Sequence, residues 1–258
     1  MAALVQEHTL RHKPPPRAAV RQVYDRIAPR YAELYEGVGP LPHFYQTRMK
    51  LVSALLQGQQ PGIVLDVGSG PGVIGGPLRD LGFRYVGADA SVGMAHECRR
   101  RSGTDRGRFS AAASGEALPF ADAAFDAVTV LGALEYMEAP ESALSECRRV
   151  LRPGGMLIVS LLNKSSLYRL LTRLRDQRNP AGDPIAAVQF TRGEAERALK
   201  HAGFEVRSVA YFDMELLPPA FAENHPRIAQ WLAAIMEGLP DAPFWWLGSA
   251  MLIEAGAS

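Results

Sequence analysis

The chain has 258 residues, of which 47% are hydrophobic and 21% are charged, with a formal net charge of +1. This composition allows one sizeable α/β domain, and the balanced charge gives no global attraction to nucleic acid or to an acidic membrane. Cys98 and Cys147 lack CxxC or Cys/His spacing, so neither a disulfide framework nor a metal site is suggested, and a cytoplasmic location is expected. No apolar run reaches the ~20 residues of a spanning helix, which predicts no stable membrane insertion.

The first predicted elements are a flexible arm over residues 1–17 and capping helices over residues 18–60. Prolines at positions 14–16 indicate the end of the arm. Apolar residues then recur at helical spacing from Val20 to Tyr35, and Pro29 predicts a break of this segment into two short helices. A third helix is predicted over Phe44–Gln57. We expect these helices to cap the sheet that follows.

From Ile63 onward the pattern alternates between strand and helix, which is typical of a doubly wound parallel sheet. The expected fold is Rossmann-like α/β, with a mostly parallel seven-stranded sheet inside a single domain over residues 18–258 and a cofactor-binding core over residues 61–161. Arg152–Gly155 (RPGG) is a turn by residue type. The predicted strands are Ile63–Val67, Arg84–Ala88, Arg108–Ala112, Phe125–Val130, Met156–Leu161, Glu205–Phe212 and Ala250–Glu254, and the predicted crossover helices are Val73–Leu81, Met94–Arg101, Ser142–Val150 and Thr191–Ala202.

A glycine-rich loop, GSGPG from Gly68 to Gly72, follows the first strand. Glycines at such a turn allow positive φ and let a ligand lie against bare peptide groups. Gly70, Gly72 and Gly75 also satisfy the GxGxxG pattern of nicotinamide enzymes. The first glycine after the strand is Gly68, however, and from there the spacing is GxGxG, with Val73 where the third dinucleotide glycine should stand.

Two carboxylates sharpen this interpretation. Asp66 lies beneath the loop, where it would repel a pyrophosphate and favour a ligand that carries ammonium and sulfonium charges. Asp89 ends the second strand, where an acidic side chain can accept hydrogen bonds from the two hydroxyls of a ribose. Together the loop and the two carboxylates predict a site for a positively charged nucleoside ligand.

Four motifs in order resemble those of the class I S-adenosylmethionine-dependent methyltransferases: Val64–Gly72, Val86–Met94, Ser114–Phe120 with Phe125-Asp126, and Leu151–Gly155. The resemblance covers about Tyr24 to Val206 and implies S-adenosylmethionine as cofactor. Relatives often have aspartate where this chain has Ser114, whose oxygen can still accept from the adenine amino group. The implied cofactor contacts are Asp66, Gly68 and Leu131 near the methionine part, Gly70 and Gly72 in the loop, Asp89 at the ribose, Ala90, Met94, Ser114, Gly115 and Glu116 around adenine, and Tyr31 from the lid.

Methyl transfer from a sulfonium is a direct displacement, so alignment and exclusion of water matter most and a dedicated base is not required. His43 and Tyr31 are the leading candidates for a catalytic role, because Tyr24–Tyr31 resembles the N-terminal lid of the family. The alternatives are packing for Tyr31 and a plain loop residue for His43. Glu135 is open between orientation, helix capping and a surface charge. The other candidate bases are Tyr24, Tyr136, Tyr211 and His225.

The acceptor is expected to be a small, partly apolar molecule. The segment after strand four, Leu131–Tyr136, lacks the Asn/Asp-Pro-Pro-aromatic motif of nucleic-acid amino methyltransferases, and the arginine clusters lack interleaved aromatics, so no nucleic-acid partner is predicted. Insertions at residues 162–190 and 213–247 lie on the acceptor side. The first contains an amphipathic helix at 164–178, either a lid or a membrane-surface element. The second brings apolar groups that suggest an apolar-walled pocket.

The sequence therefore predicts a methyltransferase acting on a natural-product intermediate, a phenol or quinone precursor, or a lipid. Two alternatives from other classes stay open. One is a nicotinamide-dependent oxidoreductase, which the overlapping glycines permit and Asp66 opposes. The other is a protein that binds S-adenosylmethionine without catalysis. The sequence gives no indication of the oligomeric state.

Overall fold

The computed structural model describes residues 16–102, 109–170, 187–214, 224–237 and 246–257, together with Leu217 and Phe221. Residues 1–15 of the predicted arm therefore lie outside the described residues, and the first helix starts at Arg17. The helices are α1 Arg17–Tyr31, α2 Pro40–Leu56, α3 Gly75–Asp80, α4 Val92–Ser102, α5 Pro140–Val150, α6 Arg192–His201 and α7 Pro226–Glu237. The strands are β1 Ile63–Val67, β2 Arg84–Asp89, β3 Phe109–Ala112, β4 Phe125–Leu131, β5 Leu151–Leu162, β6 Phe204–Met214 and β7 Gly248–Ala257.

The strands form one seven-stranded sheet in the order β3-β2-β1-β4-β5-β7-β6. Strands β1 to β5 pair in parallel, whereas β7 is antiparallel to both β5 and β6. The predicted Rossmann-like, mostly parallel sheet is confirmed. The strand order reverses between β1 and β4, and in open α/β sheets ligands bind in the crevice at the carboxyl ends of the strands beside such a reversal. The fold therefore places a crevice at the ends of β1, β2 and β4.

Both faces of the sheet are covered, because successive strand residues point to opposite sides. Along β1, Val64 packs with the side chains of α2 and α3, and Leu65 packs in the second apolar cluster with residues of α5 and α6. Leu78 and Leu144 are fully buried on these two sides. A near-continuous apolar run in β1 is what a strand buried on both faces requires.

Most predicted elements begin and end within about two residues of the observed ones, as expected for boundaries read from periodicity. The predicted break at Pro29 is wrong, because α1 continues to Tyr31 with Pro29 inside its last turn. A proline there removes one hydrogen bond at the end of the helix, and the neighbouring Ala28 is buried against α4. A 3₁₀ turn, Ala32–Tyr35, follows directly.

The predicted turn at Arg152–Gly155 is also different in the structure. These residues belong to β5, where the register jumps from the pair Phe125–Leu151 to the pair Ala127–Met156. Gly154 has a positive φ of 75°, so the turn-forming residues produce a bulge within the strand instead of ending it.

Candidate active site

The glycine-rich loop lies between the carboxyl ends of β1 and β2. Gly68, Gly70 and Gly72 all have positive φ, at 70°, 51° and 72°. Asp89 ties the loop to β2: one carboxylate oxygen accepts from the Gly70 N–H at 2.8 Å and the other from the Ser91 N–H at 2.8 Å. Burial nevertheless raises the pKa of Asp89 to about 6. The loop and this carboxylate thus form one rigid unit at the rim of the crevice.

Asp66 lies below the loop in the sheet and is almost fully buried. Its carboxylate accepts hydrogen bonds from the Tyr85 hydroxyl at 2.8 Å and the Thr129 hydroxyl at 2.7 Å. Burial raises its pKa to about 6 although both hydroxyls favour the charged form. The structure therefore places Asp66 beneath the crevice, where it joins β1 to β2 and β4, and not on the crevice wall.

A narrow cleft runs from the loop towards β4. Every sequence-predicted cofactor residue except Asp66 and Gly72 lines it. At its far end Glu116 accepts from the Ala139 N–H at 2.8 Å, and Ser114 accepts from the Glu116 N–H at 3.3 Å. The predicted residues that the cleft brings together are Tyr31, Gly68, Gly70, Asp89, Ala90, Met94, Ser114, Gly115, Glu116 and Leu131.

Helix α1 covers this cleft and is fastened at two points. Asp25 accepts from the Ser91 hydroxyl at 2.6 Å and from the Gly93 N–H at 2.9 Å, at the start of α4. Arg17 forms an ion pair with Glu116. The sequence analysis did not identify Asp25 as a site residue, because its partners lie more than 60 residues away. Both contacts indicate that α1 is a cover for whatever the cleft binds.

A second, larger cavity of about 510 Å³ adjoins the cleft. The predicted insertion over residues 213–247 contributes Met214, Leu217 and Ala233 to its walls, and the insertion over residues 162–190 contributes Tyr168 and Arg169. The remainder of the predicted amphipathic helix, residues 171–178, and the aromatic group at 244–245 lie outside the described residues. The residues shared by the cleft and the cavity are Tyr24, Tyr31, Arg48, Gly132 and Tyr136.

His43 lies at one side of the larger cavity, in the first turn of α2. The loop alternative for His43 is therefore wrong, because Gly39 and Pro40 begin the helix earlier than predicted. Its Nε2 lies 3.2 Å from a carboxylate oxygen of Glu237, and this hydrogen bond raises the pKa of His43. The other Glu237 oxygen accepts from the N–H of Asp213 at 2.7 Å.

Asp213 is a cavity residue that the sequence did not reveal. It has a positive φ of 59°, which is uncommon for a residue with a side chain, and it is 4% exposed. Its carboxylate accepts from the Ser249 hydroxyl, and burial raises its pKa to about 6. Nothing in the local sequence of a strand end distinguishes such an aspartate from an exposed one.

Glu135 lies in the 3₁₀ turn after β4 and lines the larger cavity. It is 1% exposed, so the surface-charge alternative is wrong. One carboxylate oxygen accepts from the Leu162 N–H at 3.0 Å, and the other has no hydrogen-bond partner within the described ranges. Burial raises the pKa of Glu135 to about 7.

This raised pKa predicts a pH dependence of stability. The folded state holds the Glu135 proton up to about pH 7, whereas the unfolded state releases it near the ordinary value of 4.5, so ionisation lowers the free energy of unfolding as the pH rises between these values. Glu135→Gln removes this cost. We expect the stability of this variant relative to wild type to increase by about 2–3 kcal/mol between pH 4.5 and pH 8.

Urea unfolding at several pH values measures this difference. Glu141→Gln on α5 is the matched control, because Glu141 is exposed and its relative stability should stay flat. A flat profile for Glu135→Gln as well would contradict the assigned ionisation.

Arg48 is a buried cation at the junction of the two cavities. It is 5% exposed and donates to the Tyr35 hydroxyl at 3.2 Å, and its Nε finds no hydrogen-bond partner among the residues that the structure describes. Its guanidinium carbon lies 5.4 Å from the ring centre of Phe44 and 5.1 Å from that of Tyr45. Within the described part of the chain no carboxylate lies at ion-pair distance from it. The available signal in the sequence was helical spacing, because Arg48 stands four and eight positions before the buried Val52 and Leu56 of α2.

These features together define an α/β protein with a cleft at the switch point and a second, larger cavity beside it. The sequence profile of a family described as "Methyltransferase domain" matches residues 65–159. The chain is 32% identical over 197 residues to malonyl-[acyl-carrier protein] O-methyltransferase of Geobacter sulfurreducens, covering 72% of this chain and 70% of that protein. It is 38% identical over 143 residues to demethylmenaquinone methyltransferase of Renibacterium salmoninarum, covering 55% of this chain and 57% of that protein.

A solved structure shows the same fold. Magnesium protoporphyrin IX methyltransferase from Synechocystis PCC 6803 with bound SAH superposes with a TM-score of 0.67 at 19% identity, over 94% of this chain and 100% of that one. The chain belongs to the class I S-adenosylmethionine-dependent methyltransferases, and S-adenosylmethionine is its cofactor. The resemblance predicted from the four motifs is confirmed.

Membrane-spanning helices and metal clusters are both absent from the described ranges. None of the helices there has both the length and the apolar character needed to cross a bilayer. Among the same residues, no three His, Cys, Asp or Glu side chains are grouped so that they could hold a metal ion.

Proposed function

We propose that this enzyme transfers the methyl group of S-adenosylmethionine to a small, partly apolar acceptor held in the 510 Å³ cavity. The observation that carries the proposal is the junction: the cleft, which most of the predicted cofactor residues line, shares wall residues with this cavity. A methyl group can therefore pass from one molecule to the other without crossing solvent.

The acceptor class is suggested by the cavity wall and by the relatives. The wall combines aromatic and aliphatic side chains, such as Phe44 and Met214, with the carboxylates of Glu135 and Asp213. This favours an amphipathic acceptor with an apolar body and a polar end. The names of the two sequence relatives refer to an acyl-carrier-bound malonyl group and to a quinone precursor. A phenol or quinone precursor, a natural-product intermediate or a lipid fits these observations.

In the cleft, Asp89 would accept hydrogen bonds from the two ribose hydroxyls, and Ser114 with Glu116 would face the adenine. Arg48 would bind the carboxylate of the methionine part, because it is a buried cation beside Gly132 and no described residue accepts a hydrogen bond from its Nε. Asp66 would act from below by supporting the loop. These roles assign a residue to each end of the cofactor and leave the sulfonium at the junction.

On the acceptor side, His43 would donate a hydrogen bond to an acceptor oxygen, because its hydrogen bond to Glu237 raises its pKa and so favours the protonated form. Tyr31 would act as a neutral wall, because burial and the neighbouring tyrosines raise its pKa far above physiological pH. Neither residue then serves as a base, which agrees with a direct displacement.

Calorimetric titration with S-adenosylmethionine, S-adenosylhomocysteine and NAD tests the cofactor assignment. We expect binding of the first two and none of NAD. Asp89→Ala should weaken binding of both by about tenfold or more, through loss of charge-assisted hydrogen bonds. Asp80→Ala, an exposed aspartate at the end of α3, should leave binding unchanged.

A methyl-transfer assay with labelled cofactor and a panel of phenols, quinols and lipids completes the test. Transfer to one of these acceptors would support the proposal. NAD binding alone would favour the oxidoreductase alternative, and cofactor binding without transfer to any acceptor would favour a non-catalytic role.

A further inference from the structure

Three tyrosines line both the cleft and the larger cavity: Tyr24 and Tyr31 from α1, and Tyr136 from the 3₁₀ turn after β4. If the cofactor occupies the cleft and the acceptor occupies the cavity, as proposed above, the transferred methyl group lies where the two meet. The sulfonium that carries this methyl group is therefore next to these three rings, which we call the tyrosine cage.

The rings of the tyrosine cage are held in place by one another. The centres of Tyr24 and Tyr136 lie 5.7 Å apart and those of Tyr24 and Tyr31 lie 5.9 Å apart, in both cases edge to face. The hydroxyl of Tyr31 shares a 3.0 Å hydrogen bond with that of Tyr45. Edge-to-face contacts of this kind fix ring orientation, so the cage exists before the cofactor binds.

Two of the three hydroxyls in the tyrosine cage, those of Tyr24 and Tyr31, are neutral. Burial raises the pKa of the Tyr24 and Tyr31 hydroxyls, and each neighbouring tyrosine raises it further. Neither Tyr24 nor Tyr31 therefore offers a phenolate to pair with a cation at the junction. What the three tyrosines can offer to a positive charge is the electron density of their π-systems and their hydroxyl oxygens.

We propose that the tyrosine cage recognises the positive charge of the sulfonium, and that the enzyme thereby binds its methyl donor in preference to the neutral product, S-adenosylhomocysteine. Aromatic cages bind other onium groups in the same way, and desolvation strengthens the attraction. This inference rests on the proposed function, since it needs the cofactor in the cleft.

The charge of Arg48 does not oppose this assignment. Its guanidinium lies over Phe44 and Tyr45, outside the tyrosine cage, and the cofactor carboxylate that it is proposed to bind offsets its charge. The preference of the cage for the charged donor favours release of the neutral product after transfer. Because the sulfonium charge is partly lost at the transition state and absent from the product, the cage stabilises the donor complex at least as much as the transition state, so it does not raise kcat.

Calorimetry on the full-length protein tests the inference with three ligands: S-adenosylmethionine, sinefungin, which carries an ammonium group near the position of the sulfonium, and neutral S-adenosylhomocysteine. We expect wild type to bind the two cations at least about fivefold more tightly than the neutral product. Tyr136→Leu should reduce this preference to less than about twofold, whereas Tyr136→Phe, which keeps the ring, should retain it. Tyr24→Leu and Tyr24→Phe repeat the comparison on α1.

Two results would overturn the inference: wild type binding the neutral product as tightly as the cations, or leucine variants losing affinity for all three ligands by the same factor. The first comparison needs no variant and so decides even if a leucine variant does not fold. Failure of the proposed function gives a different result, because it is read from the methyl-transfer assay, whereas the inference is read from the binding of the three ligands alone.

Discussion

Gly72→Ala is expected to destabilise the folded protein by about 2–4 kcal/mol, with left-handed backbone strain and overpacking both contributing. Gly72 has a φ of 72°, and a Cβ there would lie 2.6 Å from the sulfur of Cys98, which is fully buried in α4. The loop cannot easily move away, since the neighbouring Gly70 is tied to Asp89. Urea unfolding of the variant and wild type measures the loss.

Two matched variants separate the contributions. Gly37 has a φ of 88°, and a Cβ added there would meet no other atom within 4 Å, so Gly37→Ala measures backbone strain alone. Gly72→Ala combined with Cys98→Ala removes the sulfur and should recover about 1–3 kcal/mol relative to Gly72→Ala with Cys98 intact, after correction for Cys98→Ala alone. If Gly72→Ala were no more harmful than Gly37→Ala, Gly72 would not be a packing residue, and its predicted place in the cofactor site would regain support.

The sheet and the loop were predictable because their determinants are local. Each of three features can be recognised from a few adjacent residues: the apolar run from Ile63 to Val67, the glycines after it and the carboxylate at Asp89. The cleft accordingly contains nearly every residue predicted for the cofactor. The break expected at Pro29 failed for the opposite reason, since packing of Ala28 and the hydrogen bonds of Asp25 to α4 come from residues distant in the chain.

The polar groups of the acceptor cavity could not be predicted, because they come together from residues distant in the chain. The pair of His43 and Glu237 joins residues almost 200 positions apart, and Asp213 enters this group through a backbone N–H. Buried charges such as Glu135 have the same local sequence context as exposed ones, and only the completed fold desolvates them. Cavity chemistry that is assembled from several elements leaves no periodic pattern in the chain.

Arg48→Gln is expected to weaken binding of S-adenosylmethionine and S-adenosylhomocysteine by about tenfold to a hundredfold, because both ligands carry the carboxylate that Arg48 is proposed to bind. 5′-Methylthioadenosine lacks the whole amino-acid part, so its affinity should change by less than about twofold. Asp89→Ala supplies the complementary pattern, since loss of the ribose contacts should weaken all three ligands. Calorimetry of the two variants with the three ligands gives the comparison.

The affinities of all three ligands together decide what Arg48 does, whereas the affinity of one ligand would not. If Arg48→Gln weakened 5′-methylthioadenosine as strongly as the two amino-acid-bearing ligands, Arg48 would support the shape of the junction through Tyr35, Phe44 and Tyr45. If all three affinities were unchanged, the buried charge would serve the acceptor cavity, which it also lines. If only the two amino-acid-bearing ligands lost affinity, the carboxylate would be the partner of Arg48. Of the groups that 5′-methylthioadenosine lacks, only the carboxylate matches a buried guanidinium in charge and geometry.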